Sequence, residues 1–401
     1  MYYTKEEVKQ FVEEEDVKFI RLAFADVFGK AKNVSIMAPE LDRAFREGIA
    51  IDAWAVTGFG GFPTSDIFLH PDPDTLAILP WRPEHGRVVR MYCDITWPDG
   101  TPFLCDTRSF LRRAVEEAAK KGYTFRFGTE QEFYLFRDDG ENENTKIPYD
   151  KADYMDIGPD DKCENIRREI CMTLEQMGIY PESSHHEEGP GQNEIDFRYS
   201  DALTAADQAM TFQTVVRTIA ARNGLYADFS PKPIPDMPGN GFHINVSVHP
   251  DSDAAFDGMI AGILARAEEM TAFLNPTEDS YRRLGLRKAP GYISWSKENR
   301  SQLVRVPAVT GGSRRAELRS ADPSSNPYIA FALLIYAAME GISEGKPLPE
   351  AADINFFRVE EAELQGYRRL PGCLEDAKAI AAAGEFVKNH LPEKVARIYC
   401  G

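Results

Sequence analysis

No apolar run in this 401-residue chain approaches the ~18 residues that a membrane-spanning helix needs, so no membrane partner is expected. Paired cysteines are also missing. The six present, Cys93, Cys105, Cys163, Cys171, Cys373 and Cys400, show no CxxC spacing, which argues against a zinc ribbon or a disulfide framework. Basic charge is in deficit, with 46 Lys and Arg against 64 Asp and Glu, and the net charge of −18 repels nucleic acid and anionic lipid. Lys and Arg are spread along the chain, so any anionic ligand must be held by a local site. The first residues lack a basic stretch followed by an apolar one, and without a visible secretory signal the expected compartment is cytoplasmic. Neither a GxxxxGK[ST] loop nor a kinase-type glycine loop with HRD and DFG occurs, which removes the usual nucleotide signatures. No repeat or low-complexity segment stands out.

What is present is an ordinary globular composition, 43% hydrophobic and 27% charged, in a chain long enough for two domains. Val8, Phe11 and Val12 have helical spacing within residues 5–15, and Val17 to Phe24 reads as a strand. Gly86 to Ile95 is a further strand, and the turn-rich WPDGTP segment, Trp97 to Pro102, reads as a boundary. These signals predict a small α+β domain over 1–102 and a larger one over 103–401. In the second, Asp106 to Gly122 is an amphipathic helix, and further helices are predicted over 160–177, 202–223, 254–273, 327–344 and 374–390.

Three stretches concentrate the chemistry: Phe127 to Phe133 (FGTEQEF), His185 to Glu194 (HHEEGPGQNE) and Arg314 to Arg319 (RRAELR). Glu130 and Glu132 lie two apart in a β-type run, so both point to one face. In Phe242 to Val248 (FHINVSV) the polar His243, Asn245 and Ser247 share one face and Ile244, Val246 and Val248 the other. The same parity places Arg315, Glu317 and Arg319 together. Each block taken alone also fits a solvated strand face, a satisfied histidine or a salt-bridge ladder. Five carboxylates with one imidazole and no thiolate suit hard divalent cations, Mg²⁺ or Mn²⁺, and two arginines beside a carboxylate suit a phosphate or carboxylate ligand. That combination is what phosphoryl transfer requires.

Over nearly its whole length the chain resembles the type I glutamine synthetase family. The resemblance is carried by Phe24 to Lys32 (FADVFGKAK), Gly128 to Phe136, Ser184 to Phe197, Lys232 to Ser247, Asn275 to Leu284 (NPTEDSYRRL), Asn299 to Arg305 (NRSQLVR) and Arg314 to Tyr328. It implies a β-grasp-like N-terminal domain, a catalytic domain with an incomplete antiparallel β-barrel and surrounding helices, and a dodecamer with active sites between subunits. It also implies two or more divalent cations per site, ATP as a substrate, and glutamate with ammonia or a small amine as the other partners. Carried over by position, one metal would fall to Glu132, Glu187 and Glu194, and a second to Glu130, His243 and Glu317. Gly239, Arg283, Arg319 and Tyr154 would meet the substrates. ATP would lie near Glu182, Tyr199, Asn245, Ser247, Arg305 and Arg315, while Asp52, Arg300 and Arg319 would act in catalysis.

Departures from the family pattern concern the nucleophile. A serine of the ammonium pocket is replaced at Ala55, the glutamate-binding loop begins with Pro238 instead of asparagine, and Asn245 stands where a histidine is usual. Lys288 occupies the position of a flap glutamate, and no acidic residue lies between Gly285 and Pro290. The expected activity is therefore ATP-dependent formation of γ-glutamyl phosphate and then an amide with ammonia, or alternatively with an organic amine or polyamine. A non-catalytic regulatory or structural oligomer would show eroded metal ligands, and all six are present.

Overall fold

In strands, side chains alternate between faces, and the sequence alternation described above sets two sheets. The computed structural model describes residues 3–82, 85–140, 144–308 and 314–401. They group into two compact units, one reaching Phe110 and including Cys171–Tyr180, the other comprising Leu111–Ile170 and Pro181–Gly401.

The smaller unit is built on a sheet in the order Ala31–Met37, Val17–Ala25, Arg87–Thr96, Asp66–Pro71 and Ile49–Asp52, with Ala77–Ile78 also on Arg87–Thr96. Val17–Ala25 runs parallel to Arg87–Thr96, and the other pairings are antiparallel. The first helix, Lys5–Glu14, is started by a reciprocal capping box between Thr4 and Glu7 and buries Val8 and Val12, as their spacing predicts. Asp52 lies in this unit at the end of its strand, exposed, with its carboxylate accepting the Trp54 N–H at 2.9 Å.

The larger unit carries a curled half-barrel sheet around the strand Thr124–Asp138. Its order is Trp295–Lys297, Val304–Val306, Ala316–Leu318, Phe242–His249, Thr124–Asp138, Gln192–Phe197, Pro181–His186. Odd-numbered residues of the long strand face helices. Phe127 stacks on Phe331 at 4.4 Å, Phe133 meets Phe212 edge-on at 5.9 Å, and Phe242 lies 6.3 Å from Phe331. Such pairs add roughly 0.5–1.5 kcal/mol each beyond the burial of their area. The even-numbered face carries Glu130 and Glu132. The fold is thus α+β, with a small sheet domain and a large half-barrel domain wrapped by helices.

Two helix predictions need correction. The segment predicted over 160–177 becomes helical only at Glu164, because Asp161 is taken up by the Cys163 N–H and by Arg167. The segment over 374–390 is two helices, Leu374–Ala383 and Glu385–His390, broken at Gly384. A Cβ at Gly384 would lie 1.9 Å from a Glu269 carboxylate oxygen that accepts the Phe386 and Val387 N–H groups, so this partly buried acid caps a new helix start.

The helices Asp253–Leu274 and Pro327–Ser343 behind the half-barrel approach backbone to backbone. A Cβ at Gly262 would sit 2.0 Å from the Ala337 carbonyl oxygen, and one at Gly341 2.1 Å from that of Gly258. Gly262→Ala is therefore expected to lower stability by about 1–3 kcal/mol, although alanine is the better helix former. Denaturant unfolding checks this, and an unchanged or raised midpoint would refute the close packing.

Candidate active site

Strand register assembles the polar face. Glu130 is paired across the sheet with His243 on one side and Asp196 on the other, and Glu132 with Glu194, which in turn is paired with His185. On the far side Asn245 pairs with Glu317, and Glu317 with Arg305. Directly paired residues in an antiparallel ladder project to the same face, so these pairings bring the separated blocks into one acidic bowl.

The contacts follow the register. His243 Nδ1 lies 3.2 Å from Glu130 and 3.7 Å from Glu317, and Asn245 Nδ2 donates to Glu130 at 2.8 Å. Glu317 has no exposed surface and is gripped by Arg305 and Arg319. Arg315 Nε donates to the Asn245 side-chain oxygen at 3.1 Å. Glu132 accepts the Gly241 N–H at 2.7 Å and the Gln192 amide at 3.3 Å. Glycine is required at 241, because a Cβ there would stand 2.6 Å from His243 Nε2. Arg283 is buried and fixed by the carbonyls of Ser320 and Arg319 at 2.7 and 3.3 Å.

Three groups of donors in the bowl could each hold a cation with one atom per residue: Glu130, His243 and Glu317; Glu132, Glu194 and His243; His185, Glu187 and Glu194. A fourth contains Glu130, Glu194 and Asp196. Glu130, His243 and Glu317 therefore converge as one set. Glu132, Glu187 and Glu194 do not converge as a single tight trio; Glu194 is shared, lying beside Glu132 on one side and beside Glu187 and His185 on the other. Beyond the residues expected from the sequence, the fold adds His185 and Asp196 to the bowl. Their signal was the period of two, since His185 precedes Glu187 by two residues and Asp196 follows Glu194 by two.

The remaining predicted residues are placed as follows. Gly239 borders the bowl through its carbonyl, which accepts from Gln192 at 3.2 Å. Tyr154 stands edge-on to His185, with ring centroids 5.4 Å apart. Tyr199 is exposed beneath the Arg126 guanidinium, 4.6 Å from the ring centroid, and Glu182 is an exposed strand residue. Ser247 is paired with Arg126 on the same strand face as His243 and Asn245. Arg300 presents its carbonyl to Arg319 Nε at 3.0 Å, and its exposed side chain acts electrostatically on Glu187. Lys288 Nζ lies 2.8 Å from Glu188 and 4.8 Å above the Tyr154 ring centroid.

Electrostatics shows what the bowl lacks. Burial pushes Glu194 well above the usual carboxylate range, and Glu132, Asp196, Glu130 and Glu187 push it further. Burial and Glu130 raise Asp196 to about 7, and burial raises Glu187 against the opposing pull of Lys288. His243 is held down at about 3, first by burial and then by Arg319, so its ring is neutral and can offer a lone pair. Hard oxygen donors, neutral imidazole and carboxylates that the protein's own cations compensate only in part fit a divalent cation.

A second buried group lies behind the hairpin that carries Glu187 and Glu194. Asp150 accepts from His186 at 2.9 Å, from the Gly191 N–H at 2.9 Å and from the Lys162 N–H at 3.0 Å. Arg167 joins Asp161 to the Asn193 side chain at 2.7 Å, and Asn193 donates to the Gly191 carbonyl at 2.9 Å. Burial works against the Asp150 charge, yet the hydrogen bonds from His186 and Cys163 hold it at about 2. Although Asp150, Asp161, Cys163 and His186 are close enough to share a cation, Asp150 is committed to His186 and Asp161 to Arg167. Burial also pushes the Cys163 thiol up, away from the thiolate. This network clamps the hairpin and sets the spacing of the two glutamates.

With the geometry in place, two family models match the chain: "Glutamine synthetase, beta-Grasp domain" over residues 16–98 and "Glutamine synthetase, catalytic domain" over 104–401. A glutamine synthetase of Clostridium saccharobutylicum is 43% identical over 98% of this chain and 92% of its own length. One from Methanosarcina mazei is 42% identical over 98% and 91%. Among solved structures, GmaS in complex with ADP superposes with a TM-score of 0.87 and GmaS without ligand with 0.88. Each of these is 27% identical and covers 98% of this chain and 93% of the other.

The raised carboxyl groups carry a pH signature. An acid whose folded pKa lies above its unfolded value costs the metal-free fold stability as pH rises from about 4, with the penalty complete above the folded value, near 7 for Asp196. Cation binding displaces those protons and removes the penalty. Mg²⁺ or Mn²⁺ should therefore raise the melting temperature more at pH 8 than at pH 6 and release protons on binding. Melting curves at both values, and calorimetry in two buffers of different ionisation heat, check this. Equal stabilisation at both pH values without proton release would refute it.

Proposed function

The chain belongs to the glutamine synthetase family and is an ATP-dependent ligase, and from that premise we propose that it joins an amine to the γ-carboxylate of glutamate. Ammonia is the acceptor that the relatives' name implies. The observation that carries the reading is the gathering of Glu130, Glu132, Glu187, Glu194, His243 and Glu317 in overlapping donor groups on one face beside Arg305, Arg315 and Arg319.

In this reading Glu130, His243 and Glu317 hold one cation, and Glu132, Glu187 and Glu194 hold another, with Glu194 reached from both sides. Mg²⁺ or Mn²⁺ bound there would neutralise phosphate oxygens and so lower the barrier to their transfer. The chain's own residues do the rest. Arg319 and Arg283 meet the glutamate carboxylates beside Gly239, and Arg305, Arg315, Asn245 and Ser247 line the phosphate end, with Tyr199 and Glu182 further out. The γ-carboxylate attacks the terminal phosphorus of ATP and ADP leaves. Arg300 and Arg319 stabilise charge on the transferred group, and the amine then displaces phosphate from the acyl carbon. Asp52 enters from a neighbouring subunit of a ring-shaped homo-oligomer, a dodecamer.

A second reading, an organic amine in place of ammonia, is favoured by Lys288. Its ammonium lies over Tyr154, on the wall where an ammonium acceptor would be received, and like charge there opposes ammonium and simple alkylammonium alike, so it favours an organic amine that also carries negative charge.

Phosphate release with ATP, Mg²⁺ and glutamate, measured against ammonia, methylamine, ethanolamine and polyamines, tests the proposal. Glutamate-dependent turnover with at least one amine is expected, and none with any amine would refute it. Glu132→Ala should lower kcat/KM by about 10²-fold or more through loss of cation binding, with the oligomer still assembled. Retained turnover would remove Glu132 from the site.

A further inference from the structure

We propose that Lys288 determines specificity for the acceptor, and that the acceptor amine carries a carboxylate of its own, as an amino acid or short ω-amino acid does. This rests on the organic-amine reading above. The rim of the acidic bowl beside Glu187 and Glu194 is made by His185, 3.8 and 3.5 Å from those two carboxylates, and by Tyr154 edge-on to it. Lys288 completes that rim, its Nζ 4.8 Å from the Tyr154 ring centroid and 2.8 Å from Glu188. The rim is open to solvent: Tyr154 is 41% exposed and the Lys288 side chain 45%.

Two consequences follow from this placement. The aromatic face that would receive an ammonium ion already holds one, tethered to the protein, so ammonium, alkylammonium and diamine acceptors meet like charge and an occupied ring. A carboxylate, by contrast, can accept from Lys288 once the cations that the bowl would hold offset the negative charge of Glu187 and Glu194. An ammonium group has three N–H donors, and the one carboxylate beside it at 2.8 Å uses one, so an incoming carboxylate can bind without displacing Glu188. Burial lowers the Lys288 pKa, but Glu188 and Glu187 outweigh it and the group stays charged. Discrimination of this kind combines an attractive contact for one class with a repulsive one for another.

With the acceptor's carboxylate on Lys288, its neutral amine faces the activated carboxyl group. The nitrogen lone pair forms the C–N bond to the γ-carbonyl carbon, and the C–O bond to phosphate breaks with its electron pair leaving on phosphate. The surplus amine proton passes to the released phosphate or to water.

Two measurements on the full-length enzyme separate this inference from the reading beneath it. Hydroxylamine with glutamate, ATP and Mg²⁺ traps the acyl phosphate as a hydroxamate and tests carboxyl activation alone. The ratio of kcat/KM for β-alanine to that for 1,3-diaminopropane, with ammonium as a third acceptor, is then taken for wild type, Lys288→Gln and Lys288→Glu. Wild type should favour β-alanine over both, and the ratio should fall about 10-fold in Lys288→Gln and about 100-fold in Lys288→Glu, reversing the preference. Because each ratio is internal to one protein, partial loss of folded enzyme does not affect it. Hydroxamate formation with a wild-type preference for ammonium or the diamine, or with one ratio in all three proteins, overturns the role of Lys288 and leaves the ligase standing. Absence of hydroxamate overturns both.

Discussion

Glu194 sits nearly out of water among Glu132, Glu187, Glu130 and Asp196, and the repulsion among these carboxylates is the constraint on which the rest depends. Arg305 and Arg319 pair directly with Glu317, and Lys288 and Arg300 pull more weakly on Glu187. Glu194 and Asp196 are left to protons or to cations from outside, so the site is built to be completed by what it binds. A protein that spent stability only on folding would pair these groups or replace them with apolar ones.

Holding the repelling groups in place falls to the sheet and to the clamp behind it. The long strand fixes Glu130 and Glu132 against His243 and Glu194 by register, and its opposite face is anchored by Phe127 and Phe133 on two helices. The hairpin bearing Glu187 and Glu194 is held from behind by Asp150 with His186 and by Arg167 with Asp161 and Asn193. Both supports lie outside the bowl. They make the spacing of its oxygens a property of the fold.

Much of the bowl was legible because β-structure has a period of two. Glu130 with Glu132, His243 with Asn245, and Glu317 with Arg319 could be assigned to one face from spacing alone. His185 and Asp196 obey the same rule, yet adjacent histidines and a glycine-rich turn mask the alternation between them. The sharing of Glu194 depends on which strands are neighbours, and strand order is not written in any one segment. The clamp was illegible for the same reason, since Asp150, Arg167 and Asn193 meet only after folding. The break at Gly384 reflects Glu269, a distant residue that caps the following helix, so local helical spacing carried through it. Lys288 was visible as a departure, but its seat over Tyr154 beside Glu188 was not.

In the proposed function, ATP-dependent ligation takes place in a bowl whose charge calls for divalent cations, and the register-assembled acids are the cation ligands. Anomalous diffraction from crystals grown with Mn²⁺ and ADP tests this most directly. Two manganese peaks are expected within the bowl, one among Glu130, His243 and Glu317 and one among Glu132, Glu187 and Glu194. Manganese bound elsewhere with no peak among these residues would contradict it.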